Sequence, residues 1–125
     1  MANQDPLAEL AHSIDKYSKG DGIHSTAIPE LHCIRFSEPS SQLPTVYTPS
    51  VCIIVQGAKQ VFLEEEVYRY VPSEFLVVSV DLPVLGQITD ADPARLYLCL
   101  QIDLDLRRMS DLLAQIPTDA ARSQE

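Results

Sequence analysis

The feature that most constrains the fold is the segment 95–104, in which large apolar side chains alternate with more polar ones. A period of two places alternate residues on opposite faces of a β-strand. One face of this strand therefore meets a core, through a row formed by Leu96, Leu98, Leu100, Ile102 and Leu104. A strand with one apolar face needs partner strands to cover it, so the segment predicts a sheet protein.

Shorter apolar runs separated by turn signals occupy the middle of the chain. The nine prolines and four glycines favour firm turns and short elements. The acidic pair Glu64-Glu65 marks a hairpin, and Ser/Pro-rich residues 37–45 predict a loop. We predict further strands over residues 28–36, 46–56, 59–63, 66–71, 75–80 and 84–89. Short strands without βαβ units indicate an antiparallel barrel or jelly roll.

Helical signals flank the strands. Asp5 can cap a first helix, Pro6 suits its first position, and Gly20 follows its end. A second helix is predicted over residues 105–116, with an apolar stripe formed by Met109, Leu112, Leu113 and Ile116. This stripe either packs on the barrel or forms part of a dimer seam, and a stripe this short more often packs on its own domain.

Length and composition fit one compact domain over residues 1–125, with a frayed polar tail from about residue 117. A hydrophobic fraction of 46% is enough for a real core. The formal net charge of −9 opposes contact with phosphate backbones, so we expect no direct binding of nucleic acid by this chain.

The three cysteines, Cys33, Cys52 and Cys99, lie in apolar runs and form no CxxC pair. They predict buried free thiols in a reducing compartment, and the first residues carry no secretory signal. The longest apolar runs fall short of the ~20 residues that a membrane span needs. We therefore expect a cytoplasmic protein.

Several phrases follow one another in an order known from one family. Within residues 47–89 these are an aromatic-x-Pro-Ser before an apolar strand, then QGAKQV, a hairpin, a Tyr-x-Pro turn and SVDLPV. The stretch YLCLQIDLDLRRMSDLL follows at residues 97–113. Over roughly residues 28–116 the chain resembles the N-terminal domain of AraC-type bacterial transcription regulators.

The resemblance implies a cupin-like β-barrel that binds a small effector and helps a regulator to dimerise. A separate C-terminal domain with two helix-turn-helix units would bind DNA, and we expect this chain to be a fragment without that domain. Glu64 stands where relatives often have Gly, and primed turns need a positive φ. We expect either a loop longer than two residues or a different turn type.

Catalytic and metal-binding patterns are sparse in the sequence. His12, His24 and His32 lack the H-x-H spacing of catalytic cupins, so we expect no metal, no cofactor and no enzyme. Cys52 and Cys99 have no cationic neighbour in sequence that would lower their pKa, and they read as packing residues. A cupin-type small enzyme and a stand-alone interaction module, which would dimerise with a full-length regulator, remain alternative interpretations.

A ligand pocket inside the barrel is the remaining candidate site, since small barrels combine an apolar interior with a few polar groups. Tyr97 is out of phase with the leucine row and is predicted to lie outside the barrel. Tyr68 and Tyr70 share one face and can flank a single opening. The predicted lining residues are His32, Tyr47, Gln56, Tyr68, Tyr70 and Gln87.

Overall fold

The computed structural model of the protein describes residues 5–116, and the predicted tail at 117–125 lies outside this range. Two helices flank nine strands. The helices are α1 (Pro6–Tyr17) and α2 (Leu106–Ala114). The strands are β1 (Gly22–Ser25), β2 (Leu31–Phe36), β3 (Leu43–Tyr47), β4 (Ser50–Gln56), β5 (Ala58–Leu63), β6 (Glu66–Tyr70), β7 (Phe75–Val78), β8 (Leu82–Asp90) and β9 (Tyr97–Asp103).

The strands form two antiparallel sheets. The larger sheet has the order β1-β2-β9-β4-β7, and the smaller sheet has the order β3-β8-β5-β6. Apolar residues of both sheets pack together, so the sheets face each other as in a jelly roll. The sheets do not close into a continuous barrel, and the predicted mainly β, antiparallel fold with one helix at each end is confirmed.

Helix α1 begins where the sequence predicts. The Asp5 carboxylate accepts a hydrogen bond from the Leu7 backbone N–H at 3.1 Å, and Pro6 occupies the first helical position. The helix ends at Tyr17, and Ser18 is its C-cap, two residues before Gly20. Its apolar face covers the outer side of the larger sheet, because Ile14 packs there at 2% exposure.

The larger sheet therefore has a core on each face. The outer core lies beneath α1 and contains Cys33, Val55 and Leu98. The inner core lies between the sheets and contains Ile54 and Cys99. Leu98 and Cys99 are neighbours on β9 and are buried on opposite faces, with exposures of 1% and 0%. Consecutive residues of the central strands are buried because both faces of the sheet are covered.

The edge strands differ most from the sequence prediction. Strand β1 lies outside the predicted strands, and β3 lies largely within the loop predicted for residues 37–45. Strand β3 pairs with β8 alone, and its residues 43–46 are exposed, which explains the weak apolar signal and the tolerance of Pro44. The run predicted as one strand over 46–56 divides between the two sheets, where Thr48 and Pro49 separate β3 from β4.

Two tight connections fix the geometry of the smaller sheet. Gly57, with φ +82°, carries the chain from β4 in one sheet to β5 in the other. Glu64 and Glu65 form a two-residue hairpin loop, since Leu63 pairs with Glu66. Glu64 has φ 56°. Among these two residues only Glu64 has a positive φ, so the second expectation, a turn other than type I′, describes this hairpin.

Candidate functional site

A cavity of about 280 Å³ lies between the two sheets. Exposed residues, among them Ile23, Val46 and Thr48, form its rim, and buried residues of both sheets form its floor. The lining combines aliphatic and aromatic walls with a small number of polar groups, which is typical of small-molecule sites. The lining residues are Ile23, Ile34, Phe36, Thr45, Val46, Tyr47, Thr48, Ser50, Cys52, Lys59, Ile88, Tyr97 and Gln101.

Lys59 places a cation at this floor, with only 8% of the residue exposed. Its ammonium lies 3.5 Å from the Tyr47 hydroxyl and 5.2 Å from the centre of the Tyr47 ring. Burial by itself lowers the pKa of Lys59, but Tyr47, Cys99 and Cys52 raise it by more, and the net pKa lies above the usual value. The ammonium is therefore charged at neutral pH.

Tyr47 is the predicted lining residue that does face the cavity. It extends from the edge strand β3 toward β8, where Gly86 leaves room for it. A Cβ atom at Gly86 would lie 3.5 Å from the Tyr47 hydroxyl, an ordinary contact distance. A methyl group at position 86 would therefore be tolerated beside the phenol.

Two of the three cysteines lie close to Lys59. A hydrogen bond from the Cys99 thiol lowers the pKa of the Cys52 thiol to about 6, against the opposing effect of burial, and the charge of Lys59 lowers it further. The same hydrogen bond and burial raise the pKa of Cys99 well above its usual value. Both cysteines are buried, as predicted, and the fold adds a cation that their sequence neighbours do not supply, because Lys59 comes from the facing sheet.

A chain of polar side chains continues from the cavity along the inner face. The Gln101 amide donates to Asp103 at 2.9 Å, and His32 Nε2 lies 2.8 Å from the other carboxylate oxygen of Asp103. Burial tends to raise the pKa of Asp103, but hydrogen bonds from Gln101 and His32 outweigh it, so the pKa is lowered. His32 shares the inner face of β2 with Ile34, yet it does not line the cavity.

Three other predicted lining residues lie elsewhere. The Gln56 amide donates to the Leu96 carbonyl at 2.8 Å, in a depression between α1 and the segment before β9. Tyr68 and Tyr70 both border one surface depression beside Phe75, which Val67 and Arg69 also line. That depression is separate from the cavity between the sheets.

Gln87 also lies away from the cavity. It pairs with Gln60 on the outer face of the smaller sheet, whereas its neighbour Ile88 pairs with Lys59 on the inner face. The structure thus brings Tyr47 to the cavity and places His32, Gln56, Tyr68, Tyr70 and Gln87 outside its lining.

Tyr97 lies inside the molecule, contrary to the prediction. It is 2% exposed and packs with Ile34 and Ile54 in the inner core. The prediction assumed one core, and the leucine row in fact faces α1 through Leu96 and Leu98. The residues out of phase with the leucines therefore face the cavity.

Sequence reasoning also missed Lys59 and Gln101. Both occupy inward positions of strands whose neighbouring inward residues are apolar, Val61 on β5 and Cys99 on β9. The sequence offered one indication of this site, the single lysine Lys59 two residues before the apolar Val61. It could be recognised only if the direction of each strand face was known.

Helix α2 does not pack on the sheets. The Asp105 carboxylate caps it by accepting from the Arg108 N–H at 3.0 Å. Every residue from 105 to 116 is exposed, so the expectation that the stripe packs on its own domain was wrong. The stripe residues have exposures of 44% (Met109), 54% (Leu112), 64% (Leu113) and 41% (Ile116).

Metal donors do not converge in the described residues. Within 5–116 no three His, Cys, Asp or Glu side chains are grouped so that they could hold one ion. Neither helix in this range is long and apolar enough to cross a membrane.

Solved structures with similar architecture include cupin proteins. A cupin superfamily protein from Desulfitobacterium hafniense aligns with TM-score 0.53 and 16% identity over 84% of this chain and 94% of its own. A cupin-2 domain protein from Shewanella frigidimarina aligns with TM-score 0.52 and 8% identity over 76% and 92%. A Neisseria meningitidis protein aligns with TM-score 0.55 and 10% identity over 82% and 100%. These identities show the fold alone, and that fold is cupin-like.

A search of the curated proteins gave no match. The family described as the AraC-type transcriptional regulator N-terminus matches residues 27–125. This range includes α2 and eight of the nine strands, β2 to β9. The match covers most of the chain and agrees with the cupin-like fold. The protein therefore belongs to the family of AraC-type transcriptional regulator N-terminal domains.

Proposed function

We propose that this chain is the effector-sensing domain of a cytoplasmic AraC-type regulator and that it binds a small molecule in the cavity between its sheets. The observation that carries the proposal is the cavity itself, about 280 Å³ in volume with a charged floor and apolar walls. This volume is near the lower end of the range for small-molecule sites, roughly 300–1,000 Å³. The family match supports the regulatory role.

The domain acts by binding rather than by catalysis in this proposal. An effector that binds one arrangement of the regulator more tightly shifts the population toward it, by as much as the difference in affinity allows. The partner in this coupling is a DNA-binding domain on the same regulator. The domain's own charge of −9 makes it unsuited to phosphate contacts, so the reading of DNA falls to that partner.

Helix α2 supplies the second part of the proposal, a homodimer contact. Its exposed stripe is apolar along one side and has no cover within residues 5–116. Pairing with α2 of a second copy would bury that stripe on both chains at once, as a two-fold interface does. Sedimentation equilibrium tests this step. Leu112→Asp should shift a dimer to monomer, whereas the same change at the polar position Ser110 should not.

A ligand screen tests the sensing role. Compounds that raise the thermal unfolding midpoint of the chain are retested on Ile88→Phe, which narrows the cavity, and on Gln87→Phe, which adds the same ring to the outer face of the same strand. We expect loss of binding in the Ile88 variant alone. Equal binding by both variants would place the ligand outside this cavity and contradict the proposal.

A further inference from the structure

The floor of the cavity contains a buried ammonium without a carboxylate partner in the described residues. The chain has three lysines, and Lys16 and Lys19 are exposed on and after α1. The ion pairs within residues 5–116 engage His32, Arg35 and Arg69 but not Lys59. A buried cation is costly unless an anion or a set of acceptors compensates it, so its position at the floor of an open cavity indicates an anionic ligand.

Tyr47 and Lys59 together offer two donors to an anion. Lys59 Nζ donates to the Tyr47 hydroxyl oxygen at 3.5 Å, which leaves the phenol hydrogen free for another acceptor. The ammonium retains two further hydrogens. A carboxylate has two oxygens that accept such bonds, and charge-assisted bonds of this kind are about twice as strong as neutral ones.

Apolar side chains make up much of the remaining lining and favour a ligand with an apolar body. Ile34, Phe36 and Ile88 form apolar walls on both sheets above Lys59. An apolar cavity of roughly 150 Å³ admits benzene, and this cavity measures about 280 Å³. The space fits one ring or a short alkyl chain together with a carboxylate.

We propose that the effector is a small monocarboxylate with an apolar body, whose carboxylate binds Lys59 and Tyr47 at the floor of the cavity. This rests on the proposed sensing function and names its ligand class. The chain's net charge of −9 gives no long-range attraction for anions, so the affinity for acids depends on this local pair.

The titratable groups facing Lys59 connect binding to proton uptake. They are Tyr47, Cys52, Tyr70 and Cys99. The charge of Lys59 contributes to lowering the pKa of Cys52, whereas Asp103 raises it. A ligand carboxylate bound to Lys59 would offset that charge and raise the pKa of Cys52. Binding at neutral pH should therefore return a proton to Cys52, and thiolate absorbance near 240 nm should fall when an alkyl carboxylate is added.

The test compares acids with their amides by isothermal titration calorimetry at neutral pH. The probes are hexanoate and phenylacetate, and the matched neutral compounds are hexanamide and phenylacetamide. A bond to a charged group contributes about 1.5–3 kcal/mol, so the acids should bind about tenfold to hundredfold more tightly. Hexanoate should also lower the thiolate absorbance, which hexanamide should not.

Substitutions test whether Lys59 and Tyr47 cause the preference for acids over amides. Lys59→Met keeps a similar length without the charge and should remove the preference for acids while leaving amide binding within a few-fold. Tyr47→Phe should weaken acid binding by several-fold, and Lys19→Met is the exposed control that should change nothing. If Lys59→Met does not fold, as judged by circular dichroism, Lys59→Arg retains the charge and should retain the preference.

Two results would overturn the carboxylate assignment, and they separate it from the broader proposal. Amides that bind as tightly as acids, with binding still lost in Ile88→Phe, would leave the sensing function standing and exclude this ligand class. Failure of acids, amides and the screened compounds alike to bind the cavity would contradict both proposals.

Discussion

Single residues set the tight turns of the smaller sheet, and Glu64 does so at an energetic cost. Its φ of 56° lies in the left-handed region, which costs a residue with a Cβ atom roughly 1–2 kcal/mol. Glycine removes this strain but costs roughly 0.5–1 kcal/mol in chain entropy. At Glu64 the relief of backbone strain exceeds the loss of chain entropy, so glycine is favoured. At Glu65, which has no positive φ, only the entropy cost remains and glycine is disfavoured.

We expect Glu64→Gly to stabilise the chain by up to about 1 kcal/mol and Glu65→Gly to destabilise it by about 0.5–1 kcal/mol. Urea unfolding of both variants measures this difference. If the two substitutions changed the free energy of unfolding in the same direction, the assignment of the strain to Glu64 would be wrong.

Gly57 is constrained by space as well as by conformation. A Cβ atom there would lie 2.5 Å from the Asp90 carbonyl oxygen and 2.9 Å from the Tyr97 Cα, and both are backbone atoms. Gly57→Ala should therefore cost more than the left-handed penalty alone, at least about 2 kcal/mol. Gly86→Ala is the control, because its Cβ meets Tyr47 at 3.5 Å. Equal losses in the two variants, measured by urea unfolding, would contradict this.

The pKa of Cys52 gives a pH dependence with a definite sign. Its folded value of about 6 lies below the unfolded value of 9.0, mainly because Cys99 donates to its sulfur. The thiolate's contribution to stability is complete above pH 9 and is lost as the pH falls through about 6.

A titration of absorbance at 240 nm should show one step near pH 6 in the wild type. Cys52→Ser should remove the step and Cys99→Ala should move it upward, because alanine removes the donor that lowers the pKa of Cys52. Cys33→Ser is the control, since Cys33 lies in the other core and burial raises its pKa. A step that survives in Cys52→Ser would assign the low pKa to another thiol.

Tyr97 and Lys59 show which features of the site a sequence pattern can predict and which it cannot. Alternation along 95–104 correctly gave a two-faced strand, but it could not say that both faces are buried. That fact depends on α1 packing over the larger sheet, which is a tertiary contact. Tyr47 was predicted as a lining residue, whereas Lys59 becomes recognisable only when β3, β5 and β8 are placed in one sheet.

At the scale of elements, α1 is a structural cover and α2 is not. Ile14 on α1 is 2% exposed in the outer core, whereas Leu113 on α2 is 64% exposed. Removing methyl groups from a buried Ile or Leu costs about 2–5 kcal/mol, because a cavity remains. The same truncation at an exposed site changes the stability of a monomer by less than about 0.5 kcal/mol.

We expect Ile14→Ala to lose about 2–5 kcal/mol and Leu113→Ala to be nearly neutral at protein concentrations where the chain is monomeric. Chemical denaturation followed by far-ultraviolet circular dichroism measures both. A large loss in Leu113→Ala under these conditions would mean that α2 packs on the sheets.

Elements with strong local signals were predicted, and edge strands were not. The cap at Asp5 and the stripe of α2 are local patterns, so both helices appear close to their predicted positions. Strands β1 and β3 lie toward the sheet edges, and the alternation of buried and exposed residues is weak in β3. Their strand conformation depends on pairing with β2 and β8, which a local pattern does not encode.

At the scale of the whole molecule, the charge of −9 determines which partners the domain can approach. Phosphate contacts require Lys and Arg, and the chain has nine of these against eighteen Asp and Glu. We expect no measurable binding of this chain to duplex DNA in fluorescence anisotropy at physiological salt. Binding that weakened steeply with added salt would reveal a basic surface and contradict this expectation.

The jelly roll followed from the number of short strands and turns, but its division into two sheets did not. The crossings at Pro49 and Gly57 send adjacent segments into different sheets, and a helix covers only one of those sheets. Which strands pair in which sheet depends on the whole fold, because the candidate strands have similar sequence patterns. The resemblance to AraC-type regulators reduced the number of possible folds, which the apolar pattern by itself could not do.

Strand β9 connects the cavity and α2 through a short junction. It contributes Tyr97 and Gln101 to the cavity lining, and Asp105 caps α2 two residues after the strand ends at Asp103. The short junction is held by the Leu104 N–H, which donates to the Pro49 carbonyl at 3.0 Å. Every residue of α2 is exposed, so no packing on the sheets restrains it. A ligand that shifts β9 would therefore shift the start of α2 with it.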